Sequence, residues 1–472
     1  MVFNAIDASS TAPINGQARR ALFVQASRGV GNSPRQSMQQ AQEPGLFVII
    51  SFEGPDRWSQ AGGLGVRVSG LADTLAERGH DVEVFFMGDP ELPGEEQHGR
   101  VTLHRWGQWI SRFHRSGVYD GEEWKRTDLN ASLPAYVIER VLIPAIRAGR
   151  MPIVMLEEWQ TAECAALISD GLMAAGVRDR VVIAWNANNA YSFDRIDWPR
   201  LAVSSTITTV SRYMRSIIRA RGIDAIVIPN GIPDRLTRPV ERPTVKRLRA
   251  AFGGRPFFFK MARWGSDKGW AQALGAIGLL QRRGRDAVLV ARSGGPAANG
   301  NGLDELATTY GLRVRPIHNE RELHEAASYV SRYETDILSL RFGVEEQLAR
   351  TIFAASDGVL ANSVSEPFGL IGLEAMAAGA LVYTGGTGED YAVSGSNAVV
   401  LETLDPVEIA DRAEELEKCP RRAQRIRRAA RLSARNFLWH QTTRSLFWSL
   451  ALQARRQGHR LALLNEDASC PN

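Results

Sequence analysis

Short apolar runs alternate with helix-patterned segments along most of the chain. Residues 46–52 form a continuous apolar run of strand length, and residues 81–86 form a second one. Between them, apolar residues recur from Leu64 to Leu75 at offsets of four, three and four, which is the spacing of one helix face. This order predicts a βαβ unit whose first turn is rich in glycine.

The same alternation extends through the first half of the chain. The further strand-length apolar runs there lie at residues 153–156, 181–185, 207–210 and 226–228. A helix is predicted over residues 161–175. Residues 88–150 show no clear period, and we interpret them as a long insertion.

The second half repeats the pattern. Its predicted strands lie at residues 256–262, 287–292, 336–340, 357–361 and 381–384. Helices are predicted between them, and helices continue from residue 405 to about residue 456. Strands that alternate with helices favour parallel sheets, so each half is predicted to be a doubly wound α/β unit.

A proline- and glycine-rich stretch separates the two halves. Residues 232–254 hold three prolines and two glycines among arginines, which is typical of a linker. We therefore predict a tail over residues 1–44 and an N-terminal domain over residues 45–240. A C-terminal domain over residues 241–436 follows, and residues 437–472 form a helix that returns to the N-terminal domain and then a tail. A cleft between two such domains is the expected ligand site.

The first 44 residues are rich in Ser, Gln, Ala and Arg, and Asp7 is the only acid before Glu43. This composition predicts a disordered tail, with an organellar transit peptide as the alternative. The three cysteines of the chain form no CxxC pattern, which favours a reducing compartment, and we expect the cytoplasm. No apolar run reaches the ~18 residues of a membrane span.

The net charge of the chain argues against one class of partner. The chain of 472 residues has 57 basic and 52 acidic side chains, a formal net charge of +5. This imbalance is small for the length and does not indicate a nucleic-acid partner.

Residues 361–379 contain the main candidate functional residues. This stretch follows a predicted buried strand, carries Glu366 in a loop and Glu374 in the next helix, and ends at a glycine. Loops of this kind place ligands at the carboxyl edge of a parallel sheet. In the first half, the loop that contains Gly62 and Gly63 has the same position, but it does not spell GxGxxG, so a nicotinamide cofactor is not indicated.

Residues 365–379 resemble the E-x7-E signature of retaining GT-B glycosyltransferases, the group that contains glycogen, starch, sucrose and trehalose synthases. Three further stretches agree in order and spacing: Gly62-Gly-Leu, residues 227–231, and Arg263-x4-Lys268-Gly. Residues 159–162 are similar to the segment after the catalytic-loop histidine of glycogen and starch synthases. The resemblance extends over about residues 45–455.

The resemblance implies two doubly wound domains that face each other across a cleft. It also implies transfer of a sugar from a UDP-, ADP- or GDP-type donor to a glycan or a small hydroxyl acceptor. Arg263 and Lys268 are expected to hold the diphosphate, as a forked donor and a point charge. Glu374 is expected at the ribose hydroxyls, and Glu366 at the donor sugar. Taken alone, the same residues could be a solvated loop, a helix-dipole partner and a surface acid.

The backbone near the donor is expected to contribute as well. Gly369 and Leu370 open a helix whose first amides can meet the donor, with Phe368 beside them. Gly62 and Gly63 are expected to do the same from the opposite domain, because a side chain there would keep the amides away. The alternative interpretation is that these glycines only form turns.

The resemblance implies neither a metal nor a cofactor. No DxD-like pair lies in a phosphate loop. Members of the family have no well-placed nucleophile, so front-side transfer is expected, in which the departing phosphate takes the acceptor proton. Retaining chemistry with two carboxylates would otherwise suggest a double displacement.

Two positions depart from the family pattern. Gln60 stands where glycogen and starch synthases carry lysine, and Glu157 and Glu158 replace a histidine and an aspartate. We therefore expect Glu157 either to accept from sugar hydroxyls or to mark an unusual acceptor or a lost activity. The alternative function is a non-catalytic relative that binds a nucleotide sugar or glycan as a regulator. A phosphorylase would need a pyridoxal phosphate lysine or a phosphate-binding acceptor site, and neither is identifiable.

The sequence leaves the roles of three stretches undecided. The aromatic residues of the insertion could line an acceptor groove or cover a hydrophobic face; they are Trp106, Trp109, Phe113, Tyr119 and Trp124. The run 421–435 holds seven arginines, and a solvated helix face is favoured over contact with anionic lipid. Residues 385–391 differ from the family's Gly-Gly-x-x-Glu loop by an Asp-Tyr ending.

Overall fold

The computed structural model describes residues 45–294, 301–329 and 335–461, and the statements below concern these residues. Both predicted tails therefore lie wholly or partly outside the described residues. Two mostly parallel sheets, one from each half of the chain, organise the rest.

The first sheet has eight strands in the order β3-β4-β2-β1-β5-β6-β7-β8. Every neighbouring pair is parallel except β3 with β4. The strands are β1 Leu46–Ile50, β2 Asp81–Met87, β3 Glu95–His98, β4 Val101–Trp106, β5 Ile153–Glu157, β6 Val182–Ala187, β7 Thr206–Thr209 and β8 Ile226–Val227.

The helices of this half are α1 Gly63–Glu77, α2 Gln108–Ser111, α3 Glu122–Tyr136, α4 Ile143–Arg147, α5 Ala162–Ala174, α6 Trp198–Ser204 and α7 Arg212–Arg219. A π-helical turn over Val137–Leu142 joins α3 to α4. The joined stretch Glu122–Arg147 is, by length and composition only, long and apolar enough to cross a membrane. This single stretch is weak evidence for a span, because a core helix passes the same test.

The second sheet has seven parallel strands in the order β11-β12-β10-β9-β13-β14-β15. The strands are β9 Phe257–Arg263, β10 Val288–Gly294, β11 Val314–Ile317, β12 Ile337–Leu340, β13 Gly358–Ala361, β14 Val382–Thr384 and β15 Val399–Val400. The helices are α8 Arg242–Ala251, α9 Trp270–Arg282, α10 Asn301–Thr309, α11 Glu320–Tyr329, α12 Glu346–Ala355, α13 Leu370–Ala378, α14 Pro406–Lys418, α15 Pro420–Ala434 and α16 Trp439–Arg456.

The predicted fold class, two doubly wound α/β units, is confirmed. The central strands β1 and β5 are buried at every residue, as expected for strands covered by helices on both faces. In the second sheet β9 and β13 are neighbours, so the loops that follow them lie side by side at the carboxyl edge. This edge carries the residues that the sequence singled out.

The sequence did not predict strand β4. Apolar and polar residues mix in it, yet His104 and Arg105 are both buried. Each has a carboxylate partner: His104 Nε2 lies 2.6 Å from Glu83, and Arg105 Nε donates to Asp56 at 2.7 Å. The two buried polar side chains are therefore accommodated by carboxylate partners, which a hydrophobic pattern does not reveal.

The predicted linker is largely ordered. Residues 232–254 include a 3₁₀ turn, Asp234–Thr237, and the helix α8. Pro243 lies in the first turn of α8, where the missing N–H group of proline has no helical partner to lose. The predicted linker therefore contains regular structure, and its place between the two domains stays a prediction.

The last helix, α16, lies against α1 of the first half. A Cβ atom added to Gly70 of α1 would lie 2.2 Å from Trp439 Nε1, so the indole fills the space that this glycine leaves. Further along, Phe447 stacks on Phe47 at 5.9 Å between ring centroids. The domain boundaries themselves stay predictions.

The arginine-rich run forms α15, and several of its side chains face inward. Arg427 donates to the carbonyl groups of Ser356 and Asp357, and Arg431 donates to that of Thr237. Arg427 therefore attaches α15 to the second half, and Arg431 attaches it to the turn Asp234–Thr237 that precedes α8, so only part of the run is a solvated face.

Replacement of Trp439 by alanine should lower the free energy of unfolding by about 3–5 kcal/mol, the usual cost of removing a buried tryptophan. The side chain is 5% exposed and packs on two glycines, so the cavity cannot collapse easily. Urea unfolding followed by circular dichroism measures the change. Trp448→Ala, on the same helix but 58% exposed, should change it by no more than about 0.5 kcal/mol. Equal losses in the two variants would contradict this packing argument.

Candidate active site

Two neighbouring loops form the centre of the site in the second half. The loop after β9 and the loop after β13 are joined by a backbone hydrogen bond from Val364 N–H to Asp267 O at 2.8 Å. A side-chain bond from Asn362 Nδ2 to Gly269 O at 3.0 Å joins them again. The two loops therefore act as one surface, which we call the donor loops (residues 263–269 and 362–369).

The donor loops bring Lys268 and Glu366 together. Lys268 Nζ donates to Glu366 Oε2 at 3.0 Å and also lies 3.2 Å from Asp267. Arg263 ends β9 on the same loop, and its side chain is exposed. The cations of Arg263 and Lys268 and the carboxylate of Glu366 thus lie at the same edge of the sheet.

The amino terminus of α13 faces the same edge. Gly369, just before the helix, has φ +79°, and a Cβ there would lie 3.2 Å from Glu366 Cγ and 3.0 Å from Tyr391 Oη. Both backbone conformation and space therefore require glycine. The first N–H groups of a helix lack intrahelical acceptors and carry partial positive charge, so Leu370 begins an anion-attracting end.

Glu374 lies one turn into α13 and is half-buried. Burial first, and then the carboxylate of Glu346, raise the pKa of its carboxyl group to about 7, while Arg235 opposes this rise. Arg235 and Glu346 form an ion pair of 2.8 Å between the two halves of the chain. Glu374 is therefore close to its titration midpoint at neutral pH.

The side chain of Phe368 does not line the cleft. It is buried and packs on Tyr391 and Phe437 at 5.6 and 6.1 Å between ring centroids. Tyr391 Oη in turn donates to Gly369 O at 2.6 Å. The expected donor contact of Phe368 is thus corrected: its side chain supports the loop from beneath.

The loop 385–391, which the sequence left open, holds the backbone of Glu366. Glu366 N–H donates to Thr387 Oγ1 at 2.9 Å, and that hydroxyl lies 3.0 Å from Glu366 O. Glu389 accepts from Thr387 N–H at 3.0 Å. Burial, with the nearby carboxylate of Glu366, raises the pKa of Glu389 to about 7. Sequence reasoning missed Thr387 and Glu389 as site residues, although the Gly-Gly-x-x-Glu pattern was visible.

The unusual Asp-Tyr ending of this loop also has a structural role. Asp390 accepts from the backbone N–H of Arg212 at 2.8 Å, at the first residue of α7 in the opposite half. Beside it, Tyr213 and Ser365 share a hydrogen bond of 3.0 Å. The two halves therefore touch directly at the donor loops.

In the first half, an internal carboxylate occupies the glycine loop. Glu53 Oε2 accepts from the backbone N–H groups of Ala61, Gly62 and Gly65 at 3.0–3.1 Å. Tyr119 Oη donates to the other oxygen of Glu53 at 2.7 Å. The expectation that the Gly62 amide meets the donor phosphate is therefore wrong in this structure, since Glu53 already accepts from it.

Gly63 has a different place. A Cβ there would lie 3.5 Å from Leu370 Cδ1, so the first-half loop approaches α13 at this residue. Gln60, at the family's lysine position, is exposed and donates to Pro55 O at 3.3 Å. Gly63 thus lies at the junction of the two halves, and its expected contact with the donor stays a prediction.

Glu157 is fully buried, with 0% of its surface exposed. Its carboxylate accepts from Arg67 Nε at 3.0 Å, from Asn186 Nδ2 at 2.9 Å and from Asn188 Nδ2 at 2.8 Å. The other end of Arg67 donates to Asn230 Oδ1 at 2.7 Å. With three donors and no exposed surface, Glu157 is not arranged to accept from a sugar, which corrects its tentative catalytic assignment.

Glu158 follows in a strained conformation. It has φ +71°, which is uncommon for a residue with a side chain and is often found at functional sites. Its carboxyl group accepts from the backbone N–H groups of Asn188 and Asn189 at 2.6 and 3.1 Å. Burial first, and then the charge of Glu157, raise its pKa to about 8.

The aromatic residues of the insertion fall into two groups. Trp106 packs on Tyr136 and is partly buried against the core, so it covers the hydrophobic face. The other four are exposed, although Tyr119 also stacks on Phe52: Trp109, Phe113, Tyr119 and Trp124. Each of the two interpretations therefore accounts for part of the set.

Two family models match the chain. Residues 62–231 match the glycosyl transferase 4-like domain, and residues 337–433 match the glycosyl transferases group 1. These matches contain Gly62, Gly63, Glu366 and Glu374, but not Arg263 and Lys268, which lie between them.

Two curated relatives are similar in sequence. A glycogen synthase of Anaeromyxobacter dehalogenans is 27% identical over 400 residues, which is 69% of this chain and 80% of that protein. An uncharacterised glycosyltransferase of Bacillus subtilis is 27% identical over 183 residues, so the match spans 38% of this chain and 43% of that protein.

Solved structures share the fold. Starch synthase IV of Arabidopsis thaliana, bound to ADP and acarbose, matches with a TM-score of 0.62 at 17% identity and covers 88% of this chain and 100% of its own. A sucrose-phosphate synthase of Thermosynechococcus elongatus matches with a TM-score of 0.61 at 17% identity, with coverage of 86% and 100%. A trehalose 6-phosphate synthase of Burkholderia multivorans matches with a TM-score of 0.60 at 16% identity, with coverage of 88% and 98%.

The change Glu157→Gln should lower the free energy of unfolding by about 3–5 kcal/mol, because it leaves the buried guanidinium of Arg67 without its counter-charge. The double variant Arg67→Met, Glu157→Gln should recover part of this loss, since no buried charge then stays unpaired. Urea unfolding of both variants measures the coupling. Unchanged stability with lost turnover in Glu157→Gln would instead support the sugar contact that the sequence suggested.

Proposed function

We propose that this chain, which matches two glycosyl transferase family models and shares the fold of solved sugar synthases, transfers a sugar from a nucleoside-diphosphate sugar to a hydroxyl acceptor with retention of configuration. The observation that carries the proposal is the Lys268–Glu366 pair of 3.0 Å on the donor loops, with Arg263 on the same loop. These residues fit a reaction in which the leaving group is a diphosphate.

The cations act on the leaving group. As the bond between the sugar and the diphosphate breaks, negative charge grows on the phosphate oxygens. Fixed positive groups at that point stabilise the transition state more than the ground state. Lys268 and Arg263 supply side-chain charge, and the amino terminus of α13 at Leu370 supplies backbone N–H groups.

Glu366 contributes as a partner of Lys268 and not as a nucleophile. Its carboxylate already accepts from Lys268 Nζ, and the loop 385–391 fixes its backbone through Thr387. This arrangement supports front-side transfer: the acceptor oxygen bonds to the anomeric carbon, the bond from that carbon to the phosphate oxygen breaks, and the acceptor proton moves to the departing phosphate. A covalent sugar adduct on Glu366 would contradict this mechanism.

The donor class is a nucleoside diphosphate of the UDP, ADP or GDP type, with Glu374 at the ribose. One solved structural neighbour is described with bound ADP, and another is described as UDP-forming, which supports this class without choosing between bases. The acceptor is a glycan or a small hydroxyl compound, and the exposed aromatic side chains of the first half, such as Trp109 and Trp124, offer stacking surface for it. The free, exposed Cys419 fits a reducing compartment, and we place the reaction in the cytoplasm.

One observation favours a second candidate, a non-catalytic relative that binds a nucleotide sugar or glycan. Glu157 occupies the histidine position of glycogen and starch synthases, and it is turned into the core. A donor screen separates the two candidates. Release of a nucleoside diphosphate from any UDP-, ADP- or GDP-sugar supports the enzyme, and binding without turnover supports the regulator.

The change Lys268→Ala should reduce kcat roughly 10²–10³-fold with the best donor of that screen, as expected when a transition-state charge partner is lost. A coupled assay for the released nucleoside diphosphate measures it. Lys418→Ala is the matched control, because this lysine lies exposed in the last turn of α14 on the same half. Full activity in Lys268→Ala would overturn the assignment.

Binding of the nucleoside part should strengthen as pH rises towards 7. Ribose hydroxyl groups donate best to an ionised carboxylate, and the pKa of Glu374 is raised to about 7, so below that pH the group is largely protonated. The Kd of the free nucleoside should fall by up to tenfold per pH unit between pH 5.5 and 6.5, and level off above pH 7.5. Calorimetry measures this Kd, and the nucleoside is the ligand because it has no phosphate group that would titrate in the same pH range. Glu374→Gln should bind weakly with no such dependence, and an equally steep dependence in that variant would exclude Glu374 as its source.

A further inference from the structure

A lysine lies inside the second sheet. Lys260 is in the middle of β9, directly after three phenylalanines, and only 1% of its surface is exposed. Lysine is almost never buried to this extent unless its charge is paired. Its Nζ donates to Asn362 Oδ1 at 2.6 Å and to Leu360 O at 3.2 Å, both at the carboxyl end of β13. These are two neutral acceptors, which match the two N–H groups of an uncharged amine.

The surroundings of Lys260 are mostly apolar. On the α9 side the ring of Trp270 lies 5.1 Å from Nζ, and on β10 the residue in register is Ala291. Two charged groups act on it, Lys268 and Glu366, both from the donor loops. Burial first, and then the charge of Lys268, lower the pKa of Lys260 to about 7, while Glu366 opposes this change.

Asn362 connects Lys260 to both donor loops through its side-chain hydrogen bonds. Its Nδ2 donates to Gly269 O at 3.0 Å and to Gln272 Oε1 at 2.8 Å. Gly269 has φ +63°, and a Cβ there would lie 2.0 Å from Asn362 O, so the two loops are in closest possible contact. The orientation of the Asn362 amide, fixed by Lys260 on one side, therefore sets where the loop of Lys268 meets the loop of Glu366.

We propose that Lys260 is a positioning residue for the diphosphate end of the donor: it holds the two donor loops together through Asn362, and it takes up a proton when the diphosphate binds above it. The proposal rests on the proposed function for the identity of the ligand. It goes beyond it because Lys260 is not among the diphosphate-holding residues that the family motifs provide.

The physical reason is electrostatic linkage. A diphosphate held by Lys268 and Arg263 brings negative charge close to the buried amine and stabilises its protonated form. The proton comes from solvent, and the ammonium that forms adds positive charge beneath the leaving group in a medium of low dielectric. The third N–H of the ammonium has the face of Trp270 nearby as a cation–π partner. Donor affinity should therefore depend on the protonation of a residue that the donor does not touch.

Calorimetry on the full chain tests the linkage. The probe is the nucleoside diphosphate of the best donor, titrated at pH 7.5, 8.0, 8.5 and 9.0 in two buffers of different ionisation enthalpy. Above pH 7.5 the phosphate of the probe and the carboxyl groups of Glu374 and Glu389 are largely ionised. Glu158, with a pKa of about 8, titrates in this range but is present in every variant, so the difference between the wild type and a Lys260 variant isolates the lysine. For the wild-type chain we expect net proton uptake and a Kd that rises by up to tenfold per pH unit.

Three variants distinguish positioning from plain structure. Lys260→Met keeps the length of the side chain without a titrating group, and should show no proton uptake and a Kd that is flat between pH 7.5 and 9.0. Lys260→Arg keeps a charge that does not titrate in this range, and should also be flat but bind more tightly than Lys260→Met at pH 9.0. Lys418→Met, at an exposed lysine of the same half, should behave as the wild type.

A measurement on the wild-type chain keeps the proposal testable where a variant does not fold. The chain has five lysines, so ¹³C-labelled lysine gives few enough NMR signals to follow each one. One signal should titrate near pH 7 in the free protein and at a clearly higher pH when the nucleoside diphosphate is saturating. If the probe binds and no lysine signal shifts its midpoint, the inference fails while the proposed function stands. If no nucleoside diphosphate binds at all, the proposed function fails first.

Discussion

The contact between the loops after β9 and β13 is the constraint on which the site depends. Parallel pairing of these strands places both loops at one edge, but it does not by itself fix their spacing. Asn362 and the backbone bond from Val364 to Asp267 do that, and Lys268 can then reach Glu366. A cation that serves a leaving group must be held before the charge develops, since reorganisation during the reaction would cost part of the stabilisation.

In the first half, the buried carboxylates hold local structure and do not face a ligand. Glu53 satisfies the amides of its glycine loop, and Glu157 forms a buried pair with Arg67, so both carboxylates are committed to holding local structure. Buried ion pairs of this kind gain little net stability but are costly to break, because either partner alone would be an uncompensated charge. The first half therefore presents a rigid wall to the cleft, and most of the groups suited to transfer chemistry lie in the second half.

The two halves meet where the chemistry is proposed. Asp390 contacts the start of α7, Tyr213 contacts Ser365, and Gly63 approaches Leu370. One of these contacts involves a position at which the sequence departs from the family pattern: Asp390, in the Asp-Tyr ending of the loop 385–391. In a two-domain enzyme, residues at such a junction set how closely the acceptor side can approach the donor side, so this departure concerns the geometry of the cleft and leaves the donor motif intact.

Sequence alone determined the fold class, because strand–helix alternation is a local pattern along the chain. It also predicted a donor site from the spacing of Glu366, Glu374, Arg263 and Lys268, and the roles of these residues stay predictions. It did not reveal β4, the helix in the supposed linker, or the roles of Glu157, Phe368 and Lys260. Each of these depends on a partner far along the chain: Arg67 lies 90 residues from Glu157, and Asn362 lies 102 residues from Lys260. Whether a charged side chain reaches solvent or a buried counterpart is decided only when the sheets assemble, since burial and pairing are properties of three-dimensional neighbours.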